Sequence, residues 1–205
     1  MNKYLKLKKH ADYLLNEPGR LYHNCQHTAE VIEACRTLLG NPLALPLPLL
    51  LAARWHDVIY IPGATSNEES SANHLLWCLT INNHERDNDE YAQAYEQARN
   101  LILDTKVSNH LTDIIRSTDP LSNVLMDADL VSLSTQVYES FKLKQFDIIE
   151  EFGFIINPET KSDTAKFLNK FLERPFIYRT DYAREHWEDT AILNIQRFSN
   201  DFLIS

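Results

Sequence analysis

The amino-acid sequence predicts an all-α protein, and three observations predict it. Only four glycines occur in 205 residues, extended β-branched runs are scarce, and apolar residues recur at helical spacing along the chain. No repeat, low-complexity run or linker divides the sequence. One helical bundle spanning residues 1–205 is therefore expected, long enough to bury a substantial core.

The elements follow in order. Residues 3–16 set Tyr4, Leu7, Lys8, Ala11, Leu14 and Leu15 in a broad stripe, and Pro18-Gly19 ends it. Asn24 is an N-cap for a helix from Cys25 to Leu39, which Gly40-Asn41-Pro42 stops. Prolines at the front of PLALPLPLLLAARWHDVIY suit a first helical turn. Its continuous apolar character from Leu49 predicts a buried central helix with His56 and Asp57 near its C-terminal end. Ser66 and Glu69 have capping-box spacing for a helix running towards Asn83. Glu90–Asp104 and His110–Ser117 read as helices, and Thr118-Asp119-Pro120 as a break. One long helix is expected over Val124–Phe141, a connection at Phe152-Gly153-Phe154, a helix over Lys161–Leu172, and a last one over Asp181–Phe202.

Composition excludes several classes. The formal charge is −9, and no Lys/Arg cluster is interleaved with aromatics, so a nucleic-acid polymer is not an expected partner. There is no apolar run of membrane length, and the first residues lack the pattern of a secretory leader. The three cysteines have no CxxC spacing. Disulfides and thiolate zinc sites are not expected, and reduced thiols in a cytoplasm are. Cys35 and Cys78 read as core residues. Phe167, Phe171, Phe176, Tyr178 and Trp187 also read as core, while the oligomeric state is open.

The chemistry gathers in three stretches. YHNCQH carries His23 and His27, WHD carries His56 and Asp57, and MDADL carries Asp127 and Asp129. Singly, each has an ordinary explanation as a surface pair, a chance dipeptide or a helix cap. Together they place imidazoles and carboxylates in apolar helical surroundings. Buried carboxylates are costly unless something compensates them, and a divalent cation does so.

The order His27, His56-Asp57, Asp129 resembles the HD superfamily of metal-dependent phosphohydrolases. More narrowly, the chain is similar to a small group of HD-domain phosphohydrolases of unassigned substrate. The resemblance runs through YHNCQHTAEVI, WHDVIYIPGATSNEESSA, ILDTK, MDADLVSL and FLERPFIYRT. The first two stretches are also similar to cyclic-nucleotide phosphodiesterases. It implies an HD-type helical bundle with His27, His56, Asp57 and Asp129 as metal ligands. It implies His23 as the donor of a proton to the leaving oxygen, and Asn67 and Glu68 as residues lining the site. Glu68 would hold a water or a second ion, or only favour its own helix terminus. Arg20 and Lys106 are cations available to phosphate oxygens, although a structural role is the commoner fate of such charges.

The implied reaction is hydrolysis of a nucleotide or other small phosphorylated metabolite by metal-activated water, with Asp57 touching both metal and water. Mn, Mg, Fe, Co, Ni and Zn all suit the ligand types. Extra ligands for a second ion would have to come from His74, His84 or His110, and this chain departs there from related sequences. His10 and His186 are expected to have no metal role. Two other readings stay open: a di-iron oxygenase on the same fold, and a non-catalytic metal- or nucleotide-binding module.

Overall fold

The computed structural model describes residues 3–81, 89–111 and 118–203. Among these residues there are eleven α-helices, one short 3-10 helix and no strand. The helices are α1 (Lys3–Leu15), α2 (Cys25–Leu38), α3 (Leu47–Trp55), α4 (Asn67–Ile81), α5 (Asp89–Asp104), α6 (Val107–Leu111), α7 (Pro120–Asp129), α8 (Tyr138–Glu151), α9 (Pro158–Leu172), α10 (Asp181–His186) and α11 (Glu188–Phe202). The 3-10 helix, Leu130–Ser134, follows α7 directly.

The apolar α3 is the centre of the first half. It packs on α1, α2, α4, α5 and α7, and Leu49, Leu51, Ala52, Ala53 and Trp55 are sealed in that core. A second core joins the 3-10 helix to α8, α9, α10 and α11 around Phe141, Leu168, Tyr178 and Phe198. Leu38 and Trp187 pack against both. Cys35, Cys78, Phe171 and Tyr178 are buried as expected, whereas Phe167 and Phe176 are exposed. No helix among the described residues is long and apolar enough to cross a membrane.

The predicted Asn24 cap forms, and at the expected break Asp119 caps a helix that starts before Val124. The Asn24 side chain accepts from the N–H groups of Gln26 and His27 at 2.8 and 3.2 Å, and Asp119 accepts from Leu121 at 2.9 Å with Pro120 in the first turn. The Ser66–Glu69 capping box does not form, because Lys106 takes one oxygen of Glu69 and the other has no partner. Helix α9 starts three residues before the expected Lys161, because Asn157 and Thr160 make a capping box with Pro158 in the first turn. Of the expected His110–Ser117 helix only the start is described, and Asn83 and His84 lie outside the described residues.

The expected single helix over Val124–Phe141 is interrupted. Ser134 and Thr135 hydroxyls donate to the carbonyls of Val131 and Ser132 at 2.9 and 2.7 Å. Such bonds compete with the α-helical ladder. The Asn194 amide donates to the carbonyls of Leu133 and Thr135, which holds the break open. The expected Asp181–Phe202 helix is likewise split at Trp187. There the Glu188 carboxylate accepts from Ile177 and Tyr178 N–H groups at 2.6 and 3.1 Å.

The two carboxylates of MDADL part company. Asp127 is fully buried and accepts from Arg179 N–H, Thr180 N–H and the Thr180 hydroxyl at 2.7 to 2.8 Å, tying α7 to the start of α10. Asp127→Ala leaves those donors buried without an acceptor, and stability falls by about 3 kcal/mol. Urea unfolding measures this; an unchanged midpoint contradicts it.

Candidate metal centre

The centre sits where the two cores meet. The Asn24 cap fixes the first turn of α2 and so the buried His27. His56 follows the last residue of α3, and its N–H still donates to Ala52 at 2.9 Å. Asp129 is the last residue of α7, and the 3-10 turn after it leaves its carboxylate facing the imidazoles.

The donor atoms are mutually close. His27 Nε2 lies 3.1 Å from Asp129 Oδ1, 3.6 Å from Asp57 Oδ2 and 3.4 Å from His56 Nε2. His56 Nε2 lies 3.0 Å from Asp57 Oδ2 and 3.2 Å from Asp129 Oδ1. A divalent cation with bonds of about 2.1 Å has ligand–ligand edges of roughly 3.0 to 3.4 Å, between octahedral and tetrahedral limits. The four residues therefore fit one such ion. The His56 ring supports this: Nδ1 is 3.0 Å from the carbonyl of Ala53, which accepts its proton and leaves Nε2 for the cluster.

Without a metal, charge is balanced by protons. Burial disfavours the His56 cation, but Asp57 and Asp129 outweigh it and hold the imidazole well above its ordinary value. Burial pushes the two carboxyls up, and the His56 cation outweighs that, taking Asp57 down to about 2 and Asp129 well below its usual range.

A loop carries the rest of the site. Arg20 donates to the carbonyls of His23, Asp57 and Val58 at 3.0, 2.6 and 2.8 Å, so the stretch bearing His23 is tied to the stretch bearing Asp57. The guanidinium is engaged there and does not line the adjoining cavity, so of the two roles open to Arg20 the structure shows the structural one. Asn67 brackets the turn at Pro62-Gly63 through the N–H and carbonyl of Ile61 at 2.9 and 3.0 Å. Gly63 has φ +78°, which the turn requires of a residue without Cβ. Asn67 thus positions the loop, and its neighbour Glu68 faces the cavity. Burial raises the Glu68 carboxyl, and Asp57's charge adds to it. Lys106 is paired with Glu69 and is not a lining residue either.

His23 is held by a residue the sequence reading missed. Glu151, at the end of α8, has Oε2 2.6 Å from His23 Nδ1 and accepts from the His23 N–H at 3.2 Å. Tyr60 stacks on the ring with centroids 4.0 Å apart. A signal for Glu151 was present: two adjacent glutamates end a helix, where the dipole disfavours negative charge. Tyr22, whose ring lies 4.8 Å from that of His27 and whose hydroxyl meets Ser132 Oγ at 2.7 Å, was also missed.

Of the histidines considered for further ligation, His110 reaches the site, with Nε2 3.2 Å from Asp129 Oδ2. His74 is elsewhere, against His10 and Cys78. The fold and site define an all-helical protein with a buried His/Asp group that can hold a metal ion. No family model, curated protein or solved structure matches the chain.

Metal must displace the Nε2 proton of His56. Affinity for Zn or Mn therefore rises with pH by about tenfold per unit while that imidazole is protonated in the free protein. Calorimetric titrations between roughly pH 6 and 8 measure this, and a pH-independent affinity contradicts it. His56→Ala, which removes a ligand and one cluster charge, lowers affinity by at least about 100-fold.

Proposed function

We propose that the protein is a metal-dependent phosphohydrolase acting on a small phosphoester. The observation that carries this reading is a juxtaposition. The four-ligand group opens into a cavity of about 680 Å³, and His23 lines the same cavity with its far nitrogen anchored by Glu151. His27, His56, Asp57 and Asp129 would hold a divalent cation, which would supply Lewis acidity and a water nucleophile near neutral pH.

The chain's own residues divide the remaining work. Asp57, ionised at neutral pH, lines the cavity and accepts a hydrogen bond from the attacking water. Glu68 lies on the same wall and holds a water beside it. His23 has Nδ1 committed to Glu151, and in its cationic form it gives the Nε2 proton to the departing oxygen. Arg20 and Asn67 keep His23, Asp57 and Glu68 in register through backbone carbonyls and N–H groups. Three cysteines without CxxC spacing support a cytoplasmic setting, and the net negative charge supports a small substrate over a nucleic-acid polymer.

Phosphate release from a panel of phosphomonoesters, with Mn, Mg, Fe, Co, Ni and Zn supplied separately, tests the reading. Wild type turns over with at least one metal, and Asp57→Ala loses at least about 100-fold. Full metal occupancy together with full activity in Asp57→Ala contradicts it. His23→Ala lowers kcat by roughly 10²–10⁴ on an alkyl ester and by much less on a nitrophenyl ester, whose leaving group needs no proton. Equal losses on both esters remove His23 from the proton-donor role.

A further inference from the structure

Most of the surface of the cavity beyond the metal centre is apolar, with Gln145, Thr160 and Thr164 also in the wall. Ile148, Ile149 and Phe152 come from the end of α8, and Phe167, Leu168 and Phe171 from α9. Among the described residues, its lining contains no lysine and no arginine. The carboxylates in the wall are Asp57, Glu68, Asp129, Glu159 and Asp163, and the last two are exposed one and two turns before Phe167 on α9.

That balance discriminates among phosphoesters. A single phosphate directed at the centre would meet the divalent ion directly. A second or third phosphate would lie against carboxylates, with no lysine or arginine among the described lining residues to meet it. A nucleoside base seeks polar partners, which α8 and α9 supply only at Gln145, Glu159, Thr160, Asp163 and Thr164, while Ile148, Ile149, Phe167, Leu168 and Phe171 cover the rest of what they give to the wall. Apolar walls of this extent favour a ligand that brings apolar surface to cover them.

We infer that the substrate is a monophosphate ester of an apolar alcohol, with its phosphate at the His/Asp centre and its hydrocarbon part along α8 and α9. The inference rests on the hydrolase reading for the ester bond and on the cavity for the apolar part. No co-reactant beyond water is needed: water oxygen bonds to phosphorus, the ester P–O bond breaks, and the alkoxide takes its proton from His23.

Binding and turnover test the two parts separately. Butyl-, hexyl-, octyl- and decylphosphonate, which cannot be hydrolysed, are titrated with the metal that best supports phosphate release, or with Mn if none does. Affinity rises by about threefold per methylene until the cavity is filled. In Phe167→Ser, a change at a half-exposed position that leaves folding intact, the rise flattens. Affinity independent of chain length, or adenosine monophosphate and triphosphate outcompeting octylphosphonate, overturns the apolar substrate class. Chain-length-dependent binding with no phosphate release from any ester overturns the hydrolase reading and keeps an apolar ligand with an anionic head.

A separate observation concerns the outer face of α4. His10 Nε2 and His74 Nε2 face each other at 2.9 Å, and Cys78, one turn beyond His74, completes a group of donors within 4.8 Å of one another. His74 lies against Trp77 and Trp55, which fix its ring. Two imidazoles and a thiolate form a softer set than the His/Asp centre and suit Zn(II) or Cu(I) over Mg or Ca. The geometry points to a second metal site at His10, His74 and Cys78. Cobalt(II) tests it, since a thiolate-to-cobalt charge-transfer band can arise here and not at the sulfur-free first centre. Wild type shows the band, and both Cys78→Ser and His10→Ala lose it. No band in wild type, or a band unchanged in His10→Ala, overturns the site.

Discussion

Two carboxylates and three imidazoles share one pocket between the two cores, and the local structure around them follows from that concentration of charge. Asp57 and Asp129 are largely withdrawn from water, where unpaired carboxylates are strongly disfavoured. In the metal-free protein a proton on His56 offsets part of their charge; a divalent cation at the same position would offset all of it. His56 can serve both states because Ala53 holds its Nδ1 proton in either, so the ring need not move when the Nε2 proton leaves.

The surroundings are arranged to keep these groups in place. Arg20 bonds three carbonyls across two loops, and Asn67 closes the turn after Asp57. The break after Asp129 ends α7 where its carboxylate faces His27 and His56, and hydroxyl-to-carbonyl bonds sustain that break. The same break lets α8 swing out, so that its end delivers Glu151 to His23 and its apolar face to the cavity. The position of the Asp129 carboxylate, the Glu151 anchor of His23 and the α8 share of the apolar wall thus follow from one change of chain direction.

Much of this was readable from residues alone. Helical periodicity, the Asn24 cap and the proline-fronted central helix all depend on local rules, and they formed as those rules require. His27, His56, Asp57 and Asp129 converge because helix ends place them, and apolar flanks signalled that they would be buried. What the sequence hid is long-range. The roles of Arg20, Asn67 and Lys106 depend on partners remote in the fold, namely the carbonyls of Asp57 and Val58, the backbone of Ile61 and the carboxylate of Glu69. The splits at Leu130–Ser134 and Trp187 arise from Asn194 and from Glu188 reaching other segments, which no periodicity reveals.

The central claim is that His27, His56, Asp57 and Asp129 bind one divalent ion between them. Anomalous diffraction from crystals grown with Mn measures it most directly. The structure predicts a peak about 2.0–2.3 Å from Nε2 of both histidines and from one oxygen of each aspartate. Crystals that carry Mn elsewhere, with water alone between these four side chains, would contradict it.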